Sequence, residues 1–343
     1  MITIKEIAQH LGVSPTTVSN VVRGKTKEVS KENIEKIQNY LKKVNYIPNM
    51  TARNLAQQKS NIIGVVLKVR KERTTHIFTD PFVAEMLGGI EEVVRKAGYS
   101  MMVRISDDIE EILDYVTTWN VDGMILFCML NDDAIRVQQQ FKKPIACVDA
   151  YISKEVEDKF GEKFINIALD DEEGVYNCIN YLIDNGHRKI GFYSDNVEGV
   201  NAARLRGYKR ALLGHGIKPT KDDIFKFDPS TKMHDISLNK MIEKARDYTA
   251  VFCTSDMYAV ELMNGCILKG INVPEDLSII GVDDTLISKV ARPQLTTLHQ
   301  SPKEKGKLAA VKIMEFINGE NAEEHQIILK SHLVIRDSVK NIK

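Results

Sequence analysis

From position 61 to the end of the chain, apolar runs of strand length alternate with amphipathic runs of helix length. The strand candidates are residues 62–69, 101–105, 123–129, 144–148, 164–169, 189–193, 249–254, 277–282 and 327–334. The helix candidates between them include residues 82–97, 175–184, 203–213, 257–268 and 302–317. Alternation of this kind predicts parallel sheets that are covered by helices on both faces. The strands are too many for one ordinary sheet, so we predict an α/β core of two doubly wound lobes.

Charge is divided unevenly between the first sixty residues and the rest of the chain. Those sixty residues hold ten Lys and Arg against four Glu, although the whole chain has 47 basic and 47 acidic residues. The remainder therefore holds 37 basic and 43 acidic residues. A basic segment on a slightly acidic body indicates a polyanionic partner for one end of the chain.

Within the basic segment, the sequence predicts three short helices. Thr3 and Glu6 form a capping box ahead of the first apolar face, and Gly12 can end that helix in the left-handed conformation. Ser14 and Ser30 are N-caps of the second and third helices. The outward side of the second helix carries small polar residues, namely Thr16, Thr17, Ser19 and Asn20. This side suits entry into a major groove, so we predict a helix-turn-helix DNA reader rather than a bundle that binds protein.

The N-terminal region resembles that of the LacI/GalR (lac repressor) family of bacterial transcription regulators. The resemblance rests on the stretches TIKEIAQHLGVSPTTVSNVV, VSKENIEKIQNYLKKVNYIPN and ARNLAQQKSNIIGVV, and it continues to about position 337. It implies an all-α helix-turn-helix headpiece (1–48), a hinge helix or linker (49–60) and an effector-binding and dimerisation core (61–343). That core would be similar to periplasmic binding proteins, with an N-lobe of residues 61–168 and 301–329 and a C-lobe of residues 169–300 and 330–343.

By this resemblance, the DNA contacts lie in the headpiece and the hinge. The residues expected to contact bases are Pro15, Thr16, Asn20, Leu55 and Ala56. The residues expected to contact the DNA backbone are Ser14, Thr17, Arg23, Ser30 and Asn49. Leu55 would enter the minor groove as a wedge that bends the DNA. Asn20 stands where family members often have arginine, and asparagine pairs with adenine whereas arginine prefers guanine. We therefore predict a different base in the half-site at that position.

Short polar residues follow several predicted strands, where ligands bind in open sheets of this type. Taken alone, residues 149, 194–196, 255–256 and 283–284 either line a cleft for a hydroxyl-rich ligand or cap the helices that follow. The resemblance implies effector contacts from Phe82, Val83, Asp149, Arg204, Ser255 and Asp283. The basic segment 68–76 is either a solvated loop, which we favour, or part of a cleft that prefers an acidic or phosphorylated sugar.

The sequence does not favour an enzyme or a metal site. It has no G-x-S-x-G motif and no G-x-G-x-x-G after a strand. His187 precedes a strand and is expected to be structural rather than a catalytic base. The eight histidines show no metal-ligand spacing, so we expect neither a metal nor a cofactor.

The remaining features indicate a reducing compartment and no membrane partner. The five cysteines are scattered, and mostly apolar neighbours predict buried free thiols. There is no run of eighteen apolar residues, and the first residues lack the features of a secretion signal. We therefore expect a cytoplasmic protein.

The resemblance implies a homodimeric transcription regulator, and specifically a repressor that binds palindromic double-stranded operator DNA. Its effector would be a small molecule, either a sugar or a sugar phosphate. Two alternatives stay open: a DNA-binding regulator controlled by a protein corepressor, which also occurs in this family, and an α/β sugar-binding enzyme.

Overall fold

The computed structural model describes residues 2–22, 24–46, 59–69, 77–227 and 231–343. Contacts divide the chain into two units, Met1–Ser60 and Asn61–Lys343. Within the described ranges, no helix has both the length and the apolar character that a bilayer crossing requires.

The first unit contains three helices, α1 (Ile4–Leu11), α2 (Pro15–Val22) and α3 (Lys31–Lys43). The predicted start and stop signals are present, since the capping box of Thr3 and Glu6 is formed and Gly12 has a φ of 66°. The Ser30 side chain accepts the N–H of Asn33, as expected of an N-cap. The apolar faces of the helices meet in one core of Ile7, Ala8, Leu11, Val18, Val21 and Ile37. The predicted three-helix headpiece is confirmed.

The second unit contains two sheets of six strands each. The strands of the first sheet are β1 (Ile62–Lys68), β2 (Ser100–Ser106), β3 (Gly123–Phe127), β4 (Ile145–Val148), β5 (Phe164–Leu169) and β11 (Gln326–Leu329). Their order is β11-β5-β4-β3-β1-β2, and all neighbours are parallel.

The strands of the second sheet are β6 (Ile190–Ser194), β7 (Ile224–Lys226), β8 (Ala250–Cys253), β9 (Ser278–Asp283), β10 (Thr296–His299) and β12 (His332–Val334). Their order is β12-β10-β9-β8-β6-β7. The pairing of β12 with β10 is antiparallel, and the other described pairings are parallel.

Helices cover both faces of each sheet. In chain order they are α4 (Pro81–Lys96), α5 (Ile109–Trp119), α6 (Asn131–Gln140), α7 (Lys154–Glu157), α8 (Asp171–Asp184), α9 (Gly199–Gly214), α10 (Thr231–Lys244), α11 (Asp256–Leu268), α12 (Leu286–Val290) and α13 (Pro302–Ile317). Short 3₁₀ turns lie at Ile77–Thr79, Lys221–Asp223 and Ala245–Asp247. Helices α4 and α13 share one core with the first sheet, and α5 and α6 share the other. Helices α8 and α9 cover one face of the second sheet, and α10 and α11 cover the other. The two doubly wound lobes are therefore confirmed; we call them the N-lobe and the C-lobe.

One predicted strand was wrong. Residues 327–334 were expected to form a single strand, but β11 and β12 are separate and belong to different sheets. The chain turns between them at Ser331, whose N–H and hydroxyl donate to Oδ1 of Asp170 at 2.8 and 2.5 Å. The chain also passes between the sheets after β5 and after β10.

Candidate functional site

The first candidate site is the solvent-facing side of α2. Val18 and Val21 are buried in the headpiece core, which leaves the polar positions on the other side. Pro15 and Thr16 are exposed, and Asn20 lies one helical turn after Thr16 and is half-buried. This arrangement presents the predicted base-reading positions of the headpiece together at one side of a short helix.

Serine caps fix the starts of the second and third helices. The Ser14 hydroxyl accepts the N–H of Thr17 at 3.0 Å and lies 2.8 Å from the Thr17 hydroxyl. Ser30 is exposed and caps α3. The other predicted DNA contacts lie outside the described residues, namely Arg23, Asn49, Leu55 and Ala56.

The second candidate site is a cavity of about 240 Å³ in the second unit, between the two lobes. It is bordered by polar residues at or just beyond strand ends: Asp149, Asp195, Asn196, Thr254, Ser255, Asp283 and Gln300. The carboxyl ends of parallel strands are where this class of sheet binds ligands. The cavity therefore lies where the strand pattern predicts a binding site.

Three residues that line the cavity have a strained backbone conformation. Cys128, Asp149 and Asp283 line it and have φ values of 56°, 52° and 121°. A positive φ at a residue other than glycine costs on the order of 1–3 kcal/mol. Three of the seven described residues other than glycine that have a positive φ line this cavity, and such strain is often found at functional sites.

Two hydrogen bonds to residues of the C-lobe hold the side chain of Arg204. The side chain is buried, its Nε donates to Oδ1 of Asp171 at 2.8 Å, and its Nη1 donates to the carbonyl of Thr254 at 2.7 Å. The Tyr151 hydroxyl donates to Oδ2 of the same Asp171 at 3.2 Å. A guanidinium has five N–H donors. Among the described residues, these two bonds leave further donors of Arg204 for a ligand in the cavity.

A buried chain of polar groups joins the two lobes at the wall of the cavity. Nζ of Lys305 lies 2.7 and 2.9 Å from the carboxylate oxygens of Asp149 and 2.7 Å from Oε1 of Gln300. Nε2 of Gln300 donates to Oδ1 of Asp283 at 2.5 Å. Burial raises the pKa of Asp149, and Lys305 opposes this change. Burial also raises the pKa of Asp283, and the nearby Asp256 adds to the effect.

The six residues that sequence reasoning named as effector contacts all line this cavity. They are Phe82, Val83, Asp149, Arg204, Ser255 and Asp283. Phe82 and Val83 lie in the first turn of α4, and Ser255 also caps α11 by accepting the N–H of Tyr258. Sequence reasoning missed three residues that hold these side chains in place. Lys305 binds Asp149, Gln300 binds Asp283 and Asp171 binds Arg204.

Some strand-end residues only have structural partners. Asp256 is buried and accepts the N–H of Thr285 at 2.9 Å and the hydroxyl of Thr297 at 2.5 Å. Asp284 is bonded to Nδ1 of His299 at 2.9 Å and is paired with Arg336. Neither aspartate lines the cavity or caps the helix that follows it, since Ser255 caps α11 and both carboxylates bind residues far along the chain.

The remaining sequence predictions have mixed outcomes. Lys68 lines the cavity and is paired with Asp133, but residues 70–76 of the basic segment lie outside the described residues. His187 is buried, its Nε2 lies 3.0 Å from the carbonyl of Lys340, and burial lowers its pKa, which agrees with a structural role. All five cysteines are free thiols, and four are buried, whereas Cys128 is half-buried at the cavity. Across the described ranges, no group of three His, Cys, Asp or Glu side chains could hold a metal ion.

Comparison with known proteins agrees with both units. The family profile described as "Bacterial regulatory proteins, lacI family" matches residues 3–49, and that of a "Periplasmic binding protein-like domain" matches residues 179–339. The HTH-type transcriptional repressor PurR of Mannheimia succiniciproducens is 31% identical over 353 residues, covering 100% of both chains. The chain belongs to the LacI family. This LacI-family chain is a DNA-binding transcription regulator and not an enzyme.

Further relatives of this LacI-family regulator carry similar names. The probable HTH-type transcriptional repressor ExuR of Bacillus subtilis is 29% identical, covering 100% of this chain and 99% of the relative. A lac repressor dimer bound to operator and the anti-inducer ONPF is 24% identical with a TM-score of 0.83, covering 99% of both chains. A complex of the transcriptional regulator CelR with cellobiose is 23% identical with a TM-score of 0.71, covering 98% of this chain and 100% of that one. At these identities, the two solved structures show the fold.

Proposed function

We propose that this LacI-family regulator is a cytoplasmic repressor that binds a palindromic operator as a homodimer under the control of a small effector. The observation that carries the proposal is the convergence of Arg204, Asp149 and Asp283 with apolar side chains on one cavity between two lobes. Such a cavity can bind a small molecule and change the angle between the lobes. Linkage then requires that the effector and the operator change each other's affinity equally.

The charge of the cavity favours a neutral, hydroxyl-rich effector over a sugar phosphate. The acidic side chains in its described lining are Asp80, Asp149, Asp195, Glu198 and Asp283, and the basic ones are Lys68 and Arg204. Lys68 is paired with Asp133, and Arg204 is paired with Asp171, so neither positive charge is left uncompensated. Carboxylates accept hydrogen bonds from hydroxyl groups but repel a phosphate. The described lining therefore opposes the alternative in which the basic segment 68–76 forms part of a cleft for an acidic or phosphorylated sugar.

A thermal-shift experiment on the full-length protein tests the effector. D-ribose, D-glucose and cellobiose would be compared with ribose 5-phosphate and glucose 6-phosphate, with and without operator DNA. At a hundred times its Kd, a ligand adds about 2.7 kcal/mol to the free energy of unfolding. We expect a neutral sugar to raise the Tm and to change operator affinity. Stabilisation by the phosphates alone would contradict the proposed effector class, and a sugar that binds without changing operator affinity would contradict its regulatory role.

For DNA, we propose that one copy of the headpiece (1–48) reads each half-site. Pro15, Thr16 and Asn20 would contact bases, and Ser14, Thr17 and Ser30 would contact the DNA backbone. Arg23 and Asn49 would add backbone contacts, and Leu55 and Ala56 of the hinge (49–60) would enter the minor groove. The support for this assignment is the exposed polar side of α2 and the family membership of the chain.

Replacing Asn20 with arginine is expected to change the preferred base at one half-site position from adenine to guanine. A bidentate side-chain contact discriminates between bases by about 1–3 kcal/mol. Selection from DNA with a randomised half-site measures the preference. Asn39→Arg is the matched control, because it adds the same charge at an exposed position of α3. An unchanged preference in Asn20→Arg, or the same change in Asn39→Arg, would refute the assignment.

A further inference from the structure

Lys305 is a fully buried lysine, which is rare in proteins. It is the fourth residue of α13 and is only 1% exposed. Lysine is almost never fully buried unless it is paired. Its ammonium has three N–H donors, and the three acceptor oxygens that surround it are two from Asp149 and one from Gln300. The ammonium also lies 5.5 Å from the ring centre of Phe82, which is itself a cavity residue.

The position of Lys305 determines how the Gln300 amide is oriented. A lysine ammonium can only donate, so Gln300 has to turn its Oε1 toward it. Nε2 then points to Asp283, to which it donates at 2.5 Å. The reversed amide would place NH₂ against the ammonium and a carbonyl oxygen against the Asp283 carboxylate, and both contacts would be repulsive. One charge in the N-lobe thus fixes the polarity of a side chain that contacts the C-lobe.

We propose that Lys305 is a positioning residue of the effector site, which fixes the acceptor atoms presented by Asp149 in the N-lobe and, through Gln300, by Asp283 in the C-lobe. Its consequence is selection of effectors whose hydroxyl groups can donate to both lobes at once. This selectivity for effectors rests on the proposed function of the cavity. The chain of contacts from Lys305 through Gln300 to Asp283 does not depend on that function. A simpler role, in which Lys305 only neutralises Asp149 locally, predicts no effect on Asp283.

The first test compares the stability of full-length variants across pH. Lys305→Met keeps the length of the side chain and leaves Asp149 buried without its partner. Burial then raises the pKa of Asp149 further, and an acid with a raised pKa in the folded state loses stability as pH rises above its unfolded pKa of about 3.9. We expect the Tm of Lys305→Met to be about 10 °C below that of the wild type at pH 8 and closer to it at pH 5.

Two further variants keep this test decisive. Lys305→Met/Asp149→Asn removes the uncompensated carboxylate, so it should recover most of the Tm and lose the added pH dependence, even if the single variant does not fold. Lys312→Met is the matched control on α13, because its partner Glu315 is part of a more exposed pair. It should change the Tm by no more than about 2 °C. Equal effects of Lys305→Met at pH 5 and pH 8 would overturn the electrostatic role.

The second test measures coupling between Lys305 and Asp283, which is what distinguishes positioning from local neutralisation. Asp283→Asn would be introduced into the wild type and into Lys305→Met/Asp149→Asn. The same pair of comparisons would then be repeated with Gln300→Met present in every protein. We expect a non-additive effect on Tm with Gln300 present and an additive effect without it. Additivity in both backgrounds would overturn the proposal.

The same variants separate this proposal from the proposed effector. D-ribose, D-glucose and cellobiose would be titrated into the wild type, Asp149→Asn and Lys305→Met/Asp149→Asn. A neutral sugar that binds the wild type should bind the double variant at least about tenfold more weakly than it binds Asp149→Asn, corresponding to one further lost hydrogen bond to a charged group, so the loss cannot come from the Asp149 carboxylate itself. Unchanged affinity would overturn the positioning role. If the coupling is found but none of these sugars binds the wild type, the proposed effector class fails while the contact chain stands.

Discussion

Replacing Gly306 with alanine should destabilise the N-lobe by about 3 kcal/mol or more, which is at the upper end for single substitutions. Helices α4 and α13 cross so closely here that a Cβ on residue 306 would overlap the carbonyl group of Met86. The overlap is with backbone, so no side-chain movement can relieve it, and the two helices would have to separate. Urea denaturation followed by circular dichroism measures the loss.

Gly88→Ala is the matched control for this prediction. Gly88 lies on α4 near the same crossing, but a Cβ there would meet no atom within 4 Å. Alanine is a better helix former than glycine by about 0.5–1 kcal/mol, so this variant should be slightly more stable than the wild type. Similar small effects for both variants would show that the crossing is not as tight as the structure describes.

The second large effect is expected from Arg204→Met, which should cost about 3–5 kcal/mol because it removes one partner of a buried ion pair. Asp171 would lose its partner in a site where its side chain is only 1% exposed. Arg204→Met/Asp171→Asn should recover most of the stability, since it removes the unpaired carboxyl group, but it should not recover the response of operator binding to effector. The free energy of unfolding and operator affinity are the two measurements.

Arg206→Met serves as the control on the same helix. Arg206 is paired with Glu172 at 2.8 Å, but its side chain is 58% exposed. Exposed pairs contribute about 0–1 kcal/mol, so this variant should be close to the wild type. If Arg204→Met and Arg206→Met lowered the free energy of unfolding by equally small amounts, the pair of Arg204 and Asp171 would contribute no more than an exposed pair. The proposed role of Arg204 in the effector site would then be refuted.

The parts of the fold that could be predicted from the sequence depend on local signals. The capping residues Thr3, Ser14 and Ser30 act within three positions, and all three form the expected hydrogen bonds. Apolar periodicity likewise identified most of the strands and the long covering helices. The strand-end rule brought Asp149 and Asp283 to one cavity, because the ends of parallel strands lie at the same edge of a sheet.

The parts that were missed depend on partners far away in the chain. Lys305 and Asp149 are 156 positions apart, and the stretch PKEKGK around the lysine reads as an ordinary solvated run. Asp171 begins a helix with two further acidic residues, which is typical of helix N-termini whether or not they pair with a buried arginine. Strand β10 has the short polar sequence TTLH, so no apolar run marked it. The break at Ser331 depends on Asp170, which lies 161 positions earlier.

The division of residues 326–334 between two sheets affects how the protein is made. Strand β11 completes one edge of the N-lobe sheet and β12 completes one edge of the C-lobe sheet, with two residues between them. During synthesis, neither edge can close until this late segment has left the ribosome. Nascent chains would therefore expose the unpaired edge of β5 while most of the C-lobe is made, and the edge of β10 only over the short stretch between β10 and β12. Unpaired edges promote aggregation, so a chaperone that shields them would be needed longest at the β5 edge.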